Sequence, residues 1–531
     1  MKIALVIVLG GDLVRSTEHV GVGYIASYLR ERNYDVSILE VKDLDNPKSY
    51  KKLLDEDYDI VGFTTTCITM MLVLQMAQIL KNHNNSVVTI CGGHMATFGG
   101  EDILNEYSQV DYMIFGEGEI TFYEILKCIE EKGDLSKVKG LMYREDGKVV
   151  RNEERELIKD LDSLPFPARD QLEQHDNRFQ YIRISTSRGC YGNCAFCSSF
   201  VGRKQAGPRW RGRSPKNAVD EIENIVKKYN FHTFDFVDST FEDPGPEGKI
   251  RIKEMAKEIL DRGLQIYYNC CFRAENWDEN DRDTLKLLIK SGLEKVNIGF
   301  ESGNDRGLKI LNKRARMVNN WNAIKVIREF PDIYITFGFI MLHPYSTMED
   351  IFDNAKFLHD TGIGQVIRHY FWQLEVYPGT LMEEKLLADN LLTKDYDIAD
   401  GMYKYRFLDE SVSSLSYKFS EFLKVDSVWD FEIFDILIHT FITRLRRQYM
   451  GTSLIEGINK FSDFVDNVRK EMADFNYDFC TKLYKAPVGY NIDDEKIILD
   501  KFIKDKMNVI SAEQYKFGHD ILRTGQKLVN R

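Results

Sequence analysis

Short apolar runs alternate with amphipathic stretches from the first residue to about position 145. Lys2–Leu9, Asp35–Glu40, Asp59–Thr64, Val87–Cys91 and Asp111–Phe115 read as buried strands, and Gly23–Arg32, Met71–Asn82 and Ile120–Lys132 as helices between them. Strands that are apolar at nearly every position have both faces covered. The alternation therefore predicts a doubly wound, Rossmann-like parallel sheet in an α/β fold. Ligands of such sheets bind beyond the carboxyl ends of the strands. Those ends carry Gly10-Gly11, Thr64-Thr65-Thr66, Gly92-Gly93-His94 and Gly116-Glu117-Gly118, small residues that let a backbone come close to a large ligand. None forms GxGxxG, which disfavours a dinucleotide. Glycines that only turn each strand into its helix would look the same.

Arg144–Lys148 has the composition of a hairpin turn, and Asp160–Asp170, with two prolines, that of a surface linker. From Tyr181 the strand–helix rhythm resumes. Ile182–Ser187, Thr233–Val237, Gln265–Asn269, Lys295–Gly299, Tyr334–Met341 and Gln365–Phe371 read as strands, with helical stretches such as Asn217–Tyr229, Ile252–Arg262, Asp281–Ser291 and Met348–Asp360 between them. Six such units predict a partial (β/α)6 TIM-like barrel whose chemistry sits on the carboxyl-end loops. Beyond about residue 390, apolar residues recur at helical spacing through Val428–Gln448, Leu454–Phe475 and Glu495–Val529, which predicts a helical carboxyl-terminal domain. The expected division is a sheet domain over residues 1–150, a linker over 151–178, the barrel over 179–390 and helices over 391–531.

A length of 531 residues agrees with three domains of about 150 residues or more. The 71 Lys and Arg against 83 Asp and Glu give a net charge of −12, which argues against a nucleic-acid footprint over the whole chain. No run approaches the ~20 apolar residues of a membrane span. The opening MKIALVIVLGGDLV lacks a signal peptide's cleavage site, so a cytoplasmic chain without membrane association is expected. One dense basic segment holds Arg203, Lys204, Arg209, Arg211, Arg213 and Lys216, with Trp210 among them. It could grip an acidic or phosphorylated substrate or nucleic acid, but a solvated loop before the Ser214-Pro215 helix start is favoured.

Nine cysteines at irregular spacing do not read as a disulfide framework. Cys67, Cys91, Cys128 and Cys480 are expected to be small core residues. Cys190, Cys194 and Cys197 fall within eight residues, directly after a predicted barrel strand. Two metals fit that spacing. Zinc prefers a fourth Cys or His, and His175 and His232 are far away in sequence. A four-iron, four-sulfur (4Fe-4S) cluster on three thiolates leaves one iron open. Spacing favours the cluster.

The run Cys190-Tyr191-Gly192-Asn193-Cys194-Ala195-Phe196-Cys197 resembles the CxxxCxxC motif of the radical S-adenosylmethionine (SAM) enzymes. The resemblance implies that SAM chelates the open iron and is cleaved by one electron to a 5′-deoxyadenosyl radical, which abstracts a substrate hydrogen. It extends in order along the predicted barrel. Asp238 and Ser239 lie in the segment similar to the one that contacts the SAM amino group. Arg273 is implied as the partner of the SAM carboxylate. Glu301 and Ser302 belong to a segment resembling the GxES motif, and Gly338 and Ile340 to the adenine-side motif. There the sequence departs from the pattern, since Leu342–Thr347 lacks the usual glycine and acidic residue. The first domain resembles the cobalamin (B12)-binding domain of one radical SAM class, which implies cobalamin contacts from Thr64, Thr65, Gly92, Gly93, His94, Gly116 and Glu117. The DxHxxG motif is absent, because Asp12 and His19 have the wrong spacing. Cobalamin is thus expected to carry no protein histidine on cobalt.

Three further residues are candidates for proton or hydrogen transfer. Cys271, beside Cys270 at a strand end, could return a hydrogen atom, as an epimerase requires. His369 and Tyr377, near His343, Arg368 and Tyr370, could remove a proton. The resemblance implies cobalamin-dependent methylation of an unactivated carbon in a small-molecule or peptide substrate. The partner is a one-electron reductant such as flavodoxin or ferredoxin. The alternatives are radical rearrangement, cyclisation or epimerisation, and, from another class, a metal-stabilised binding module without catalysis.

Overall fold

In a computed structural model, residues 1–9, 18–174, 179–198, 206–394, 396–487 and 489–529 are described, so Gly10-Gly11, Asp12, His175, Arg203 and Lys204 lie outside the described residues. Two units are formed. One contains Met1–Cys271, Lys290–Gly292 and Glu375–Lys404, and the other Phe272–Ile289, Leu293–Leu374 and Tyr405–Arg531.

The first unit begins with β1 (Lys2–Val8), α1 (Val20–Arg30), β2 (Asp35–Val41), β3 (Ile60–Thr65), α2 (Met70–His83), β4 (Val88–Gly93), α3 (His94–Glu106), β5 (Tyr112–Ile114) and α4 (Gly118–Glu131). β6 (Leu141–Glu145) and β7 (Lys148–Arg151) complete a seven-stranded sheet in the order β2-β1-β3-β4-β5-β6-β7. β1 to β5 are parallel and β6–β7 is an antiparallel hairpin. The apolar strands follow from two-sided burial. Ala4, Val6 and Val8 of β1 pack in one core with Val73 and Ala77 of α2, whereas Ile3, Leu5 and Ile7 pack in the other with Leu29 of α1 and Ile125 of α4. A strand between two helical layers must be apolar at both parities.

The same unit continues with β8 (Ile182–Ile184), β9 (Ser187–Gly189), β10 (Trp210–Gly212), α5 (Pro215–Tyr229), β11 (Thr233–Phe236), α6 (Ile250–Asp261) and β12 (Tyr267–Arg273), whose last two residues belong to the second unit. β8, β11 and β12 are parallel, with Phe234 opposite Ile182 and Thr233 opposite Tyr267. The predicted strand Ile182–Ser187 breaks after Ile184, and β9 instead pairs antiparallel with β10. Helix α5 starts as its sequence dictates. Pro215 is its first residue, and the Ser214 hydroxyl accepts from Asn217 N–H at 3.2 Å.

In the second unit β13 (Leu293–Glu301) and β14 (Tyr334–Phe339) are parallel, with Gly299 opposite Gly338. Their outer residues, such as Phe300, Phe337 and Phe339, pack with Phe357 from α8 (Met348–Asp360), which follows α7 (Met317–Ile327). The expected sixth strand Gln365–Phe371 is a correction: Ile367–Tyr370 is a 3₁₀ turn. An apolar run this short suits either state, and the tertiary partner decides. Asn476 donates to the carbonyls of Gly364 and Gln365, both at 2.9 Å, and so removes them from a ladder. Pairing with the neighbouring segment moves to Trp372–Leu374, where Leu374 N–H donates to Leu342 at 2.8 Å. The helical expectation after residue 390 corresponds to α9 (Glu410–Phe422), α10 (Asp426–Gln448), α11 (Ile455–Tyr484) and α12 (Asp493–Val529). Buried Asp435 of α10 joins them to β14, accepting from Tyr334 Oη and Arg469 Nε at 2.7 Å each. Among the described residues no helix is long and apolar enough to cross a membrane.

Within the first unit a chain of alternating charges is buried. Glu18 meets Arg169 at 2.5 Å, Arg169 also meets Glu221, and Glu221 meets Arg213. No side chain of the four is more than 6% exposed. Arg169→Met leaves two buried carboxylates short of a counter-charge. Chemical denaturation followed by fluorescence is expected to show a loss of about 3–5 kcal/mol in the first unit.

Candidate functional site

The cysteine loop leaves β9 through Gly189, which has φ +80°, and a Cβ there would lie 1.9 Å from the carbonyl oxygen of Arg209. Only glycine fits that crossing of β9 and β10. The loop is then drawn tight. Gly192 N–H donates to Cys190 Sγ at 3.3 Å, Cys197 N–H to the Cys194 carbonyl at 3.3 Å, and Met382 N–H to the Ala195 carbonyl at 2.8 Å. The three thiols stand on one loop within eight residues. In a four-iron cluster each thiolate binds its own iron, and this donor set suits that centre.

The root of the loop is fixed by Asp238. Its carboxylate accepts from Thr186 N–H at 2.7 Å, Ser187 N–H at 2.8 Å and the Thr186 hydroxyl. It is fully enclosed, and burial pushes its pKa up to about 6. Asp238 thus anchors the end of β8, while Ser239 beside it is exposed. Arg251 of α6 supports the same turn, donating to the Phe241 carbonyl at 2.8 Å and to Asp243 at 2.6 Å.

In the second unit Glu301 occupies a bulge at the end of β13 with φ +64°, rare for a residue other than glycine. Its carboxylate pairs with the nearly buried Lys313 at 3.1 Å. Gly299 and Gly338 leave room for it, since a Cβ on Gly338 would lie 2.9 Å from Glu301 Oε2. Ile340 N–H donates to the Glu301 carbonyl at 2.9 Å, so Glu301, Gly338 and Ile340 come together. Ser302 does not join them through its hydroxyl, which donates to Asn354 Oδ1 at 3.1 Å. Asn354 also binds Gly303 N–H and the Met341 carbonyl and so staples two strand ends. Arg273 is held by Glu275 through Nε at 2.8 Å and Nη2 at 2.5 Å. Alternation along β12 puts Cys271 on the same face as Arg273, and Cys270 on the opposite one, where burial pushes its thiol up.

Two catalytic candidates change place. His369 is buried and stacked on Phe337, with ring centres 4.0 Å apart, and burial and Arg368 hold its pKa well below the ordinary imidazole value. Tyr377 lies in the first unit, its hydroxyl donating to Glu375 and interacting with Cys67 at the end of β3. Burial pushes that phenol up, which makes it a poor base.

At the sheet of the first unit, a cavity of about 320 Å³ lies between strand ends and helices. Leu5, Val22, Ile25, Ile90, Ile114 and Phe122 give it an apolar lining, and Thr64, Gly92, Gly93 and Gly116 form its strand-end rim. Ser185, Arg188 and Val237 close one wall. Among the described residues no histidine lines it. A cavity of this size at strand ends suits an apolar part of a bound ligand. Thr65 is buried, its hydroxyl donating to the Gly92 carbonyl at 2.9 Å and tying β3 to the β4 turn. Gly93 has φ +105°, and a Cβ would lie 2.6 Å from the Thr65 carbonyl. His94 opens α3 and stacks on Phe98.

Glu117 stands at the N-cap of α4, but its side chain makes no capping hydrogen bond. Its carboxylate accepts from Arg188 at 3.2 Å, from Arg211 at 3.0 Å and from Ile158 N–H at 2.8 Å. Arg188 also binds Glu119 at 2.6 Å. The basic segment is corrected accordingly. Arg211 and Arg213 are buried in ion pairs, whereas Lys216 is exposed. Lys313, Asn354, Arg188 and Glu119 carry no motif of their own. Only Arg188 had a sequence signal, its place two residues before Cys190.

The family model described as "B12 binding domain" matches residues 6–126, and the one described as "Radical SAM superfamily" matches residues 184–358. An "uncharacterized methyltransferase" of Pyrococcus horikoshii is 31% identical over 409 residues, covering 75% of this chain and 86% of that protein. An "anaerobic magnesium-protoporphyrin IX monomethyl ester cyclase" of Rubrivivax gelatinosus is 28% identical over 334 residues, 60% of this chain and 58% of its own length. The fold is that of the cobalamin-dependent SAM radical enzyme OxsB, solved with aqua-cobalamin and SAM bound. It matches with a TM-score of 0.70 at 18% identity over 100% of this chain and 81% of that one. The chain belongs to the radical SAM superfamily, in the class with an amino-terminal B12-binding domain, and its cofactors are a 4Fe-4S cluster, SAM and cobalamin.

Proposed function

We propose that this chain is a cobalamin-dependent radical SAM methyltransferase acting on an unactivated carbon of a small molecule or peptide, with a flavodoxin- or ferredoxin-type reductant in the cytoplasm. One observation carries the proposal. The apolar cavity of the first sheet and the root of the cysteine loop share a wall, formed by Ser185, Arg188 and Val237. A cofactor in that cavity would lie next to the loop.

Cys190, Cys194 and Cys197 would hold the cluster. In the second unit Glu301, Gly338, Ile340 and Arg273 would hold SAM, and in the first Thr64, Gly92, Gly93, His94 and Gly116 would hold cobalamin. When bound, the cluster supplies the electron that cleaves SAM, and cobalamin carries the methyl group. The chain's own residues bind, orient and exclude water. Asp238 and Gly189 fix the loop, Lys313 pairs with the Glu301 carboxylate and holds it in place, and the cavity is lined mainly by apolar side chains. Cys271 stays a candidate for hydrogen return, from its place on the Arg273 face of β12. The first relative's methyltransferase name agrees with the proposed reaction.

Three outcomes follow. Replacing Cys190, Cys194 and Cys197 together by Ala should abolish bound iron, acid-labile sulfide and SAM cleavage in anaerobically purified protein; zinc without sulfide in the wild type would favour a binding module instead. Loaded with cobalamin and given a reductant, the wild type should convert SAM to both S-adenosylhomocysteine and 5′-deoxyadenosine. If only 5′-deoxyadenosine forms, rearrangement or cyclisation replaces methylation. Glu301→Ala should weaken SAM binding about tenfold by anaerobic calorimetry, as expected for losing a charged hydrogen bond, without loss of iron.

A further inference from the structure

β9 and β10 set two arginines directly across from each other, Arg188 opposite Arg211, between the pairs Gly189–Trp210 and Ser187–Gly212. Like charges at opposed positions of an antiparallel pair repel, and both side chains are largely buried, with 18% and 5% exposure. Their counter-charge comes from the B12-binding domain. Glu117 Oε1 lies 3.2 Å from Arg188 Nη1 and 3.0 Å from Arg211 Nη1, and Oε2 lies 3.0 Å from Arg211 Nη1. Three further contacts fix this arrangement. Ile158 N–H donates to Glu117 Oε2, Arg211 donates to the Ile158 carbonyl at 2.8 Å, and the Arg188 guanidinium lies 4.9 Å from the centre of the Tyr24 ring.

We infer that Glu117 is a positioning residue for the iron–sulfur loop: its carboxylate, reaching from the B12-binding domain, holds the opposed arginines of the hairpin together and so sets where Cys190 stands. Arg188 is two residues from Cys190, and the Gly189 between them has no slack, because even a Cβ would collide with the Arg209 carbonyl. A shift of the guanidinium therefore passes to the loop rather than dissipating in the backbone. Arg188 also walls the cavity of the B12-binding domain, so the same carboxylate joins that wall to the loop. Glu119, bound to Arg188 alone, cannot replace it at Arg211.

The inference rests on Cys190, Cys194 and Cys197 binding the cluster, and its test separates the two claims. Wild type, E117Q, R211Q and E117Q/R211Q are purified anaerobically as full-length protein, reconstituted with iron and sulfide, and compared by iron content, by electron paramagnetic resonance of the reduced cluster with and without SAM, and by the rate of SAM cleavage. Gln keeps the shape of Glu117 but removes the charge that offsets two guanidiniums. E117Q is expected to shift the resonance and slow SAM cleavage about tenfold. The double variant, with one guanidinium removed, is expected to regain the wild-type spectrum and a rate within about threefold, the signature of coupled sites. If E117Q does not fold but the double variant folds with the wild-type spectrum, the inference also stands. An E117Q indistinguishable from wild type overturns it, as does a double variant that fails like E117Q, which would make Glu117 a direct cofactor contact. A wild type without iron and sulfide overturns the cluster assignment itself.

Discussion

Buried guanidinium groups set the terms for the first unit. An arginine taken out of water is tolerated only where carboxylates and carbonyls meet its charge and its donors. Arg169, Arg213, Arg211 and Arg188 are met by Glu18, Glu221, Glu117 and Glu119, and all of these pairs but the local Arg213–Glu221 join segments far apart in the chain. Glu18 and Glu117 come from the first sheet's domain, Arg169 from the linker, and Arg188 and Arg211 from the hairpin at the cysteine loop. These ion pairs add specificity where apolar packing would leave a choice of register, because a one-residue slip would strand a charge.

The loop that would carry the cluster is accordingly held from several sides. Asp238 grips its root through two backbone N–H groups, Gly189 threads it past Arg209, and Met382 N–H meets the Ala195 carbonyl. Radical chemistry requires such fixity, since a site must be preorganised and dry before a reactive species is made. In the second unit Glu301, strained at positive φ and paired with Lys313, has the same character. Such strain persists only where the surroundings over-determine it.

Much of this was legible in the residues. The all-apolar strands and their helix spacing located β1 to β5 to within a residue or two, because two-sided burial leaves a one-dimensional trace. The cysteine spacing named a metal loop and its place after a strand. What the residues did not show was which partner a polar side chain takes. Asp238 and Ser302 stand in motif segments, yet their oxygens bind Thr186, Ser187 and Asn354. His369 stands near the last strand-like segment but packs on Phe337. Arg211 and Arg213 look like a solvated basic loop and are buried. The run Gln365–Phe371 has the composition of a strand, but Asn476, more than a hundred residues later, takes its carbonyls.

The sequence by itself determined the strand–helix alternation of the first sheet, the helical character of the last segment and the chemistry of the loop. These depend on periodicity, local propensity and ligand type, which neighbouring residues suffice to express. Only the tertiary structure decided which carboxylate meets which guanidinium, which glycine is indispensable and which polar side chain is left to face a ligand. Those are questions of distance between atoms up to hundreds of residues apart, and the desolvation cost that answers them exists only once the chain has closed around them.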